Sequence, residues 1–376
     1  MTAPNHRVHG LAADDVAPDW PPLTTAELAR LLDCYPALAA PRAIAWHSPR
    51  PLAAAALVDT AGGRVFVKRH HVSVRSAAGL AEEHAFMAHL RARGVPIPAV
   101  LVAADGASAV TLGAWVYEVH APADGMDIYR DTMSWVPPAE PAHAWQAGAM
   151  LARLHEAAAG YAAPQRRASL LVARSELIEA ADPPAMLAAH LPTRPDLAAF
   201  LRERDWRSEL TEALAPCHAN AQARIAREPR QWTHGDWHVS NLCWSGAEPT
   251  AHIASVLDFG LAARTFALFD LATAIERNAI AWLQADDNRA HPAIARALLA
   301  GYRSVRPLGQ RTLDLVADLL PIVHVDFALS EVDYFVAITR SRANAEVAWN
   351  AFLRGHAAWF RTPHGQALLD VIRAGA

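Results

Sequence analysis

Three oxygen-bearing side chains, Asp236, Asn241 and Asp258, lie at spacings that suit phosphate chemistry. The first two are five residues apart in a turn-rich stretch, and the third directly follows a short apolar run. If residues 241–244 and 251–257 pair as a hairpin, the second and third side chains lie level at its open end. Carboxylate and carboxamide oxygens are hard ligands of the kind that Mg²⁺ prefers. Phosphoryl transfer combines a metal held in this way with a separate aspartate that accepts the proton of the attacking hydroxyl.

The basic residues add a second signal, since all but one of the 34 are arginine and the exception is Lys68. One interpretation is a stray lysine in an arginine-biased chain. The other is that this position needs a compact ammonium, which a planar guanidinium cannot replace. The run Arg64–Lys68 follows a Gly62-Gly63 turn, and we expect it to be the second strand of a hairpin with the lysine near its end.

The order His234-Gly-Asp236-x-His238-x-x-Asn241, followed by Asp258-Phe-Gly, resembles the catalytic and metal loops of the aminoglycoside phosphotransferase family. That family includes choline, homoserine and fructosamine kinases and shares the protein-kinase fold. The five-residue step from aspartate to asparagine is that of the protein-kinase catalytic loop. The resemblance implies that Asp236 is the catalytic base and that Asn241 and Asp258 are Mg²⁺ ligands.

The same resemblance, which covers residues 42–275, implies roles outside these loops. Lys68 matches the family's phosphate-binding lysine, and Glu83 matches the helix glutamate that pairs with it, with Glu82 as the alternative partner. Asp270 matches an aspartate that braces the catalytic loop, although a plain helix N-cap would explain it equally well. Residues 118–123 would be the hinge that contacts adenine through backbone groups.

One stretch departs from the pattern. A glycine-rich loop over the phosphates is expected near residues 46–54, but that stretch contains no glycine. The first-strand register and the contacts of this loop with ATP therefore stay open. The chain also has no Gly-x-x-x-x-Gly-Lys-Ser/Thr run, which excludes a P-loop fold.

The two loop histidines have a competing interpretation as zinc ligands. His234 and His238 are four residues apart, as in helical zinc motifs, but Gly235 and the turn-rich context argue against a continuous helix. We therefore expect both histidines to shape the catalytic loop.

The N-terminal third of the sequence predicts a small antiparallel sheet. Residues 1–22 are expected to form a flexible tail, and Thr24 or Thr25 could cap a short helix that ends near residue 34. A second helix is predicted at 76–92. Strands are predicted at 44–46, 52–59, 64–68, 99–103 and 109–119.

Beyond residue 140 the chain becomes rich in alanine and leucine. Helices are predicted at 141–159, 170–190, 196–228, 268–284, 291–304, 311–338 and 343–374, with an irregular island at 231–260. The expected fold class is α+β: a bilobed protein-kinase-like fold with a small antiparallel-sheet N-lobe and a large, mainly helical C-lobe. The lobes would span 23–120 and 121–376, with the catalytic loop at 232–244 and the metal loop at 258–260.

Composition restricts the partners and the compartment. The chain has 376 residues, 53% hydrophobic, and a net charge of −4, which makes nucleic acid an unfavourable partner. Three distant cysteines give no disulfide framework. Neither a signal peptide nor a run long enough to cross a bilayer is visible, so no membrane association and a cytoplasmic location are expected. Oligomeric state is not readable.

The acceptor side of the reaction is weakly marked. Helically spaced polar residues in the C-terminal third would suit a cationic amine or amino alcohol if they lined a pocket. The alternative is that they form an exposed acidic helix face. These residues are Asp314, Asp318, Asp326, Ser330 and Asp333. The pair Arg166-Arg167 is interpreted as part of a solvated helix face.

Together these features predict an ATP- and Mg²⁺-dependent O-phosphotransferase that acts on a hydroxyl of a small molecule. The alternatives are a bacterial stress-response type of protein Ser/Thr kinase and a nucleotide-binding pseudokinase without catalysis.

Overall fold

Five of the described N-lobe strands form one antiparallel sheet. The structure is a computed structural model that describes residues 6–7, 15–16, 19–49, 52–132, 136–215, 217–282 and 289–375. A two-stranded pair precedes the sheet. The pair consists of β1 (His6–Arg7) and β2 (Asp15–Val16). The sheet consists of β3 (Pro41–His47), β4 (Ala54–Thr60), β5 (Gly63–His71), β6 (Val110–Leu112) and β7 (Trp115–His120), in the spatial order β3-β4-β5-β7-β6.

Strand alternation decides which face carries the chemistry. Val65 and Val67 of β5 are buried against helix α1 (Thr25–Leu32), which begins at Thr24 with a capping box. Because neighbouring side chains on a strand point to opposite faces, Lys68 lies on the other face of the sheet. Helix α2 (Ala77–Arg91), capped by the Ser76 hydroxyl, supplies Glu83.

The C-lobe is mainly helical. Its helices are α3 (Pro141–Ala158), α4 (Glu176–Glu179), α5 (Pro183–His190), α6 (Pro195–Leu201), α7 (Trp206–Leu214), α8 (Cys217–Ile225), α9 (Ala267–Ala279), α10 (Pro292–Arg303), α11 (Gln310–Leu319), α12 (Val325–Ala337), α13 (Arg342–Val347), α14 (His356–Trp359) and α15 (Pro363–Ala374), with a π-helical stretch at Ala348–Gly355.

Two short antiparallel ribbons form the irregular island. Strand β9 (Leu242–Trp244) pairs with β10 (Ile253–Val256), and β8 (Arg230–Thr233) pairs with β11 (Ala263–Phe266). The predicted hairpin therefore exists, whereas the ribbon that β11 makes was not predicted. The fold is the predicted α+β, protein-kinase-like one.

Several predicted element boundaries are wrong. Residues 99–103 make a single bridge, from Val100 to His120, in place of a strand. The helix predicted at 170–190 is two helices, and that at 196–228 is three. Residues 311–338 break after Leu319, because Pro321 cannot continue a helix.

The end of the predicted flexible tail also differs, because residues 19–22 are packed. The Trp20 ring stacks on His71 at a centroid distance of 5.1 Å, and Tyr334 donates a hydrogen bond to Asp19 at 3.0 Å. The rest of that tail has no described side chains. All three cysteines are free. Across the described ranges, no helix is long and apolar enough to cross a membrane.

Candidate active site

The catalytic loop leaves strand β8 through a left-handed turn at Gly235, where φ is +78°. A Cβ at this position would lie 2.6 Å from the Ala173 Cβ and 2.8 Å from the Leu261 carbonyl oxygen. Glycine is therefore required both by the backbone conformation and by the close approach of neighbouring segments.

Asp270, in the first turn of α9, holds the catalytic loop in place through hydrogen bonds to its backbone. Its carboxylate accepts hydrogen bonds from the backbone N–H groups of His234 and Gly235, both at 2.9 Å, and His155 Nε2 lies 3.0 Å from Oδ2. The side chain is fully buried, and although burial opposes the charge, His155 lowers the pKa of Asp270. The geometry favours the bracing interpretation over the plain N-cap.

Asp236 lies among polar partners at the end of the turn. Asn241 Nδ2 donates to the Asp236 carbonyl at 2.9 Å and to its carboxylate at 3.2 Å. His238 Nε2 lies 3.4 Å from the same carboxylate, and the guanidinium of Arg277, from α9, is in direct contact with it. Sequence reasoning missed Arg277, since no motif contains it.

The two loop histidines are engaged within the loop. His234 Nε2 donates to the Leu257 carbonyl at 2.9 Å, while Nδ1 accepts from the Asp236 N–H at 3.2 Å. Burial lowers the pKa of His234, which keeps the ring neutral. His238 Nδ1 lies 2.6 Å from the Ser240 hydroxyl.

Lys68 and the metal-loop aspartate meet across the two lobes. Lys68 Nζ lies 2.9 Å from Asp258 Oδ1. Although burial opposes the charges, the Lys68 ammonium lowers the pKa of Asp258 to about 2, and the carboxylate of Asp258 raises the pKa of Lys68. Asp258 has a left-handed backbone, φ +51°, a rare state for a residue other than glycine that clusters at functional sites.

The hairpin register brings the asparagine to the same place. Leu257 N–H donates to the Asn241 carbonyl at 2.8 Å, so Asn241 lies beside the residue that precedes Asp258. The carboxylate of Asp258 and the carboxamide of Asn241 are oxygen donors of the kind that a hard divalent cation prefers, and the Asp236 carboxylate lies beside Asn241. This donor set fits Mg²⁺.

The structure corrects the expected pairing of Lys68 with Glu83. Glu83 is buried and pairs with Arg166 at 3.1 Å, while Lys68 pairs with Asp258. The alternative partner, Glu82, pairs with Arg167 at 3.2 Å. The reason is that the segment after α3 lies against α2 and places Arg166 and Arg167 beside the two glutamates of that helix.

The prediction that Arg166 lies on a solvated helix face is also wrong. Its side chain is fully buried, whereas that of Arg167 is 87% exposed. Arg166 donates to the carbonyl groups of Gly260 and Ala262, at 2.9 and 3.1 Å, and Arg75 also reaches Gly260. Two buried arginines therefore anchor the metal loop. No sequence pattern marked these two arginines, because nothing distinguishes them from the other arginines of the chain.

A pocket opens beside Gly235 and Arg277. Its charged lining comes from α9 and α12 and includes Glu276 and Glu331. Burial raises the pKa of Glu276 to about 7 and that of Glu331 to about 8. Burial also lowers the pKa of Arg277 to about 9.

The residues considered for an acceptor pocket from the sequence lie elsewhere. Asp333 pairs with Arg194 at 2.7 Å, and the Ser330 hydroxyl accepts from the Leu171 N–H. Asp318 pairs with arginines, Asp314 accepts from Gln310, and partial burial raises the pKa of Asp326 to about 8. Helical spacing alone could not show which face meets the cleft.

An antiparallel sheet that carries Lys68, over a helical lobe whose catalytic loop carries Asp236, defines the protein-kinase-like class of phosphotransferases. A model of the phosphotransferase enzyme family matches residues 52–308, and the chain belongs to that family.

The curated relatives that match are homoserine kinases. One from Azorhizobium caulinodans is 26% identical over 246 residues, which is 65% of this chain and 66% of that protein. One from Pseudomonas aeruginosa is 32% identical over 122 residues, 32% of this chain and 36% of that protein. The chain thus matches less than two thirds of the length of either relative.

Solved structures share the fold at low identity. A microcompartment-associated aminopropanol kinase has a TM-score of 0.54 at 18% identity and covers 88% of this chain and 94% of its own. An amicoumacin kinase in complex with AMP-PNP, Ca²⁺ and Ami has a TM-score of 0.53 at 14% identity and covers 79% of this chain and 85% of its own.

Proposed function

We propose that the protein is an ATP- and Mg²⁺-dependent O-phosphotransferase that transfers the γ-phosphoryl group to a hydroxyl of a small molecule. The observation that carries the proposal is the meeting of Lys68 with Asp258 across the lobes, beside the loop of Asp236 and Asn241. The amicoumacin kinase with a nucleotide analogue and Ca²⁺ supports the use of a nucleotide and a divalent cation. ATP as the donor also favours a cytoplasmic location.

The chain's residues would divide the reaction among them. Lys68 would neutralise phosphate charge, and Asn241 and Asp258 would hold Mg²⁺, which when bound supplies charge neutralisation at the phosphates. As the acceptor oxygen bonds to the γ-phosphorus, the bond to the β,γ-bridging oxygen breaks and ADP leaves. Asp236 would accept the hydroxyl proton. Asp270 would keep the loop in place throughout.

The pocket supports an acceptor with an amino group. Glu276 and Glu331 offer carboxylates to an ammonium, and the guanidinium of Arg277, which contacts Asp236, also lines the pocket. Relatives and fold neighbours are named homoserine kinase and aminopropanol kinase, and both of those compounds carry an amino group and a hydroxyl. A pocket lined by these charged side chains suits a small molecule better than a protein side chain in an extended substrate.

A matched acceptor panel tests this function. A coupled assay measures ADP formation with homoserine, 3-aminopropanol and γ-hydroxybutyrate as acceptors. Relative to homoserine, 3-aminopropanol lacks the carboxylate and γ-hydroxybutyrate lacks the amine. We expect turnover with an amino-bearing acceptor and little with γ-hydroxybutyrate. Labelled phosphate on protein, but on none of these or other metabolites, would favour a protein kinase, and stabilisation by ATP without turnover on any acceptor would favour a pseudokinase.

A further inference from the structure

A cluster of histidines surrounds one buried carboxylate in the N-lobe, that of Glu118, at the start of the segment 118–123 that was predicted to be the hinge. Glu118 Oε2 lies 2.8 Å from His84 Nε2 and 2.9 Å from His120 Nε2, and Glu118 Oε1 lies 2.9 Å from His70 Nε2. The ligand atoms of His84, Glu118 and His120 all lie within 4.8 Å of one another.

The cluster joins separate elements of the fold. His84 comes from α2, while Glu118 and His120 lie two apart on β7 and therefore on one face of the strand. His84 Nδ1 lies 2.9 Å from the Ser108 hydroxyl, which fixes the ring orientation in the way that outer partners orient metal-binding histidines. His120 is 12% exposed and offers a path from solvent.

We propose that His84, Glu118 and His120 form a binding site for a transition-metal ion such as Zn²⁺, separate from the Mg²⁺ site. Two imidazoles and one carboxylate, with the fourth position left to water, are a common ligand set for zinc and a poor one for magnesium. His70, on the second carboxylate oxygen, acts as the positioning residue for Glu118.

The present spacing is compatible with this ion after a small adjustment. With metal–ligand bonds of about 2.0–2.1 Å, tetrahedral ligand atoms lie about 3.4 Å apart, so His84 Nε2 and His120 Nε2 would each move away from Glu118 Oε2 by about 0.5 Å. The ion would take the place of the protons that now join the histidines to Glu118, and its binding would release protons.

The site would connect metal binding to the nucleotide lysine. Glu118 lies directly opposite Lys68 in the pairing of β7 with β5, and it is among the carboxylates that favour the charged lysine. An ion bound there would also tie α2, the helix of Glu83, to the sheet.

Calorimetric titration of tag-free protein with Zn²⁺ in excess Mg²⁺ tests the proposal. We expect one equivalent to bind, and His120→Asn and His84→Asn each to weaken that binding by at least about tenfold. Titration with Co²⁺ should give visible absorption of tetrahedral intensity that His120→Asn abolishes. The exposed His252→Asn is the matched control and should bind as the wild type does.

Two results would overturn the proposal: no stoichiometric Zn²⁺ binding by the wild type, or unchanged affinity in His120→Asn. Circular dichroism establishes that each variant is folded. Should His84→Asn fail to fold, the Co²⁺ spectrum and the partly exposed His120 position decide the question. Asp258→Asn, in the metal loop, should leave the Zn²⁺ affinity unchanged, and a loss there would assign the ion to the Mg²⁺ site instead.

Discussion

Glu331 and Arg277 line the pocket beside the catalytic loop, and burial disfavours the charged form of each side chain. It raises the pKa of Glu331 to about 8 and lowers that of Arg277 to about 9. An ammonium group that enters the pocket would interact with Glu331 only in its ionised form. Binding of a cationic acceptor is therefore coupled to loss of a proton from Glu331 at neutral pH.

This coupling predicts a pH dependence of the acceptor KM. Because Glu331 is mostly protonated below about pH 8, the KM of an amino-bearing acceptor should fall as pH rises from 6 to 8, by at most about tenfold per unit. Steady-state kinetics at saturating MgATP measure this. The KM for ATP should not follow the same profile.

Glu331→Gln provides the comparison. We expect the variant to have a higher acceptor KM and to lose the part of the pH dependence that extends to pH 8. A variant whose acceptor KM keeps the wild-type profile would show that Glu331 does not contact the amine.

At this scale the sequence marks candidate residues whose spacing along the chain is itself a signal. Asp236, Asn241 and Asp258 were singled out in this way, and their roles stay predictions. Glu331 and Arg166 could not be found, since their roles depend on which helix face meets the pocket and on a chain crossing that local spacing does not encode. Lys68 was singled out because it is the only lysine, but its ion pair with Asp258 was not predicted.

Among the elements, the catalytic loop depends on one backbone conformation. Gly235 takes a left-handed φ, and the space around it is filled by Ala173 and the Leu261 carbonyl. Gly113, in the β6–β7 turn, has a similar φ of +61° but no atom within 4 Å of a built Cβ. The two positions differ only in how closely the neighbours approach.

Comparing Gly235→Ala with Gly113→Ala therefore separates the cost of a left-handed backbone, which both variants share, from the cost of steric overlap with neighbouring atoms, which arises only at Gly235. We expect each to lose about 1–2 kcal/mol of unfolding free energy from the left-handed backbone. Gly235→Ala should lose a further amount of about 1–3 kcal/mol from overpacking. Urea denaturation measures both.

Activity distinguishes the two variants further. Gly235→Ala should lower kcat, because it displaces the amides that Asp270 holds, and Gly113→Ala should leave kcat unchanged. Equal losses of stability with equal kcat would contradict the argument for close packing at Gly235.

The elements that the sequence predicted best are those with strong periodicity and clear ends. Strands β4 and β5 around the Gly62-Gly63 turn and helix α2 agree with the structure to within a few residues. Residues 99–103 have strand-like composition, but only Val100 pairs with β7. Strand β11 is four residues long and pairs with a strand thirty residues earlier, so no local pattern marks it.

For the whole molecule, buried arginines connect the lobes. Arg166 links α2, through Glu83 and the Gly79 carbonyl, to the metal-loop carbonyls of Gly260 and Ala262. The Lys68–Asp258 contact bridges the same interface. The position of the metal loop is thus set jointly by both lobes.

The variant Arg166→Met tests this connection, and Arg167→Met, at the exposed neighbouring arginine, is its control. Because the change leaves Glu83 buried without its charge partner, we expect a loss of about 3–5 kcal/mol in unfolding free energy. Arg167→Met removes a pair whose arginine is 87% exposed and should cost at most about 1 kcal/mol. Denaturation in urea compares them, and similar losses for both would show that the lobes are not joined through Arg166.

The central claim, that Asp236 serves a phosphoryl-transfer centre built across both lobes, is tested most directly by Asp236→Asn. Phosphorus NMR with the acceptor found in the panel should show a new phosphate monoester for the wild type. The variant should bind MgATP with a Kd within about threefold of the wild type, yet lose about 10²–10⁴-fold in turnover. Turnover at the wild-type rate in Asp236→Asn would contradict the account.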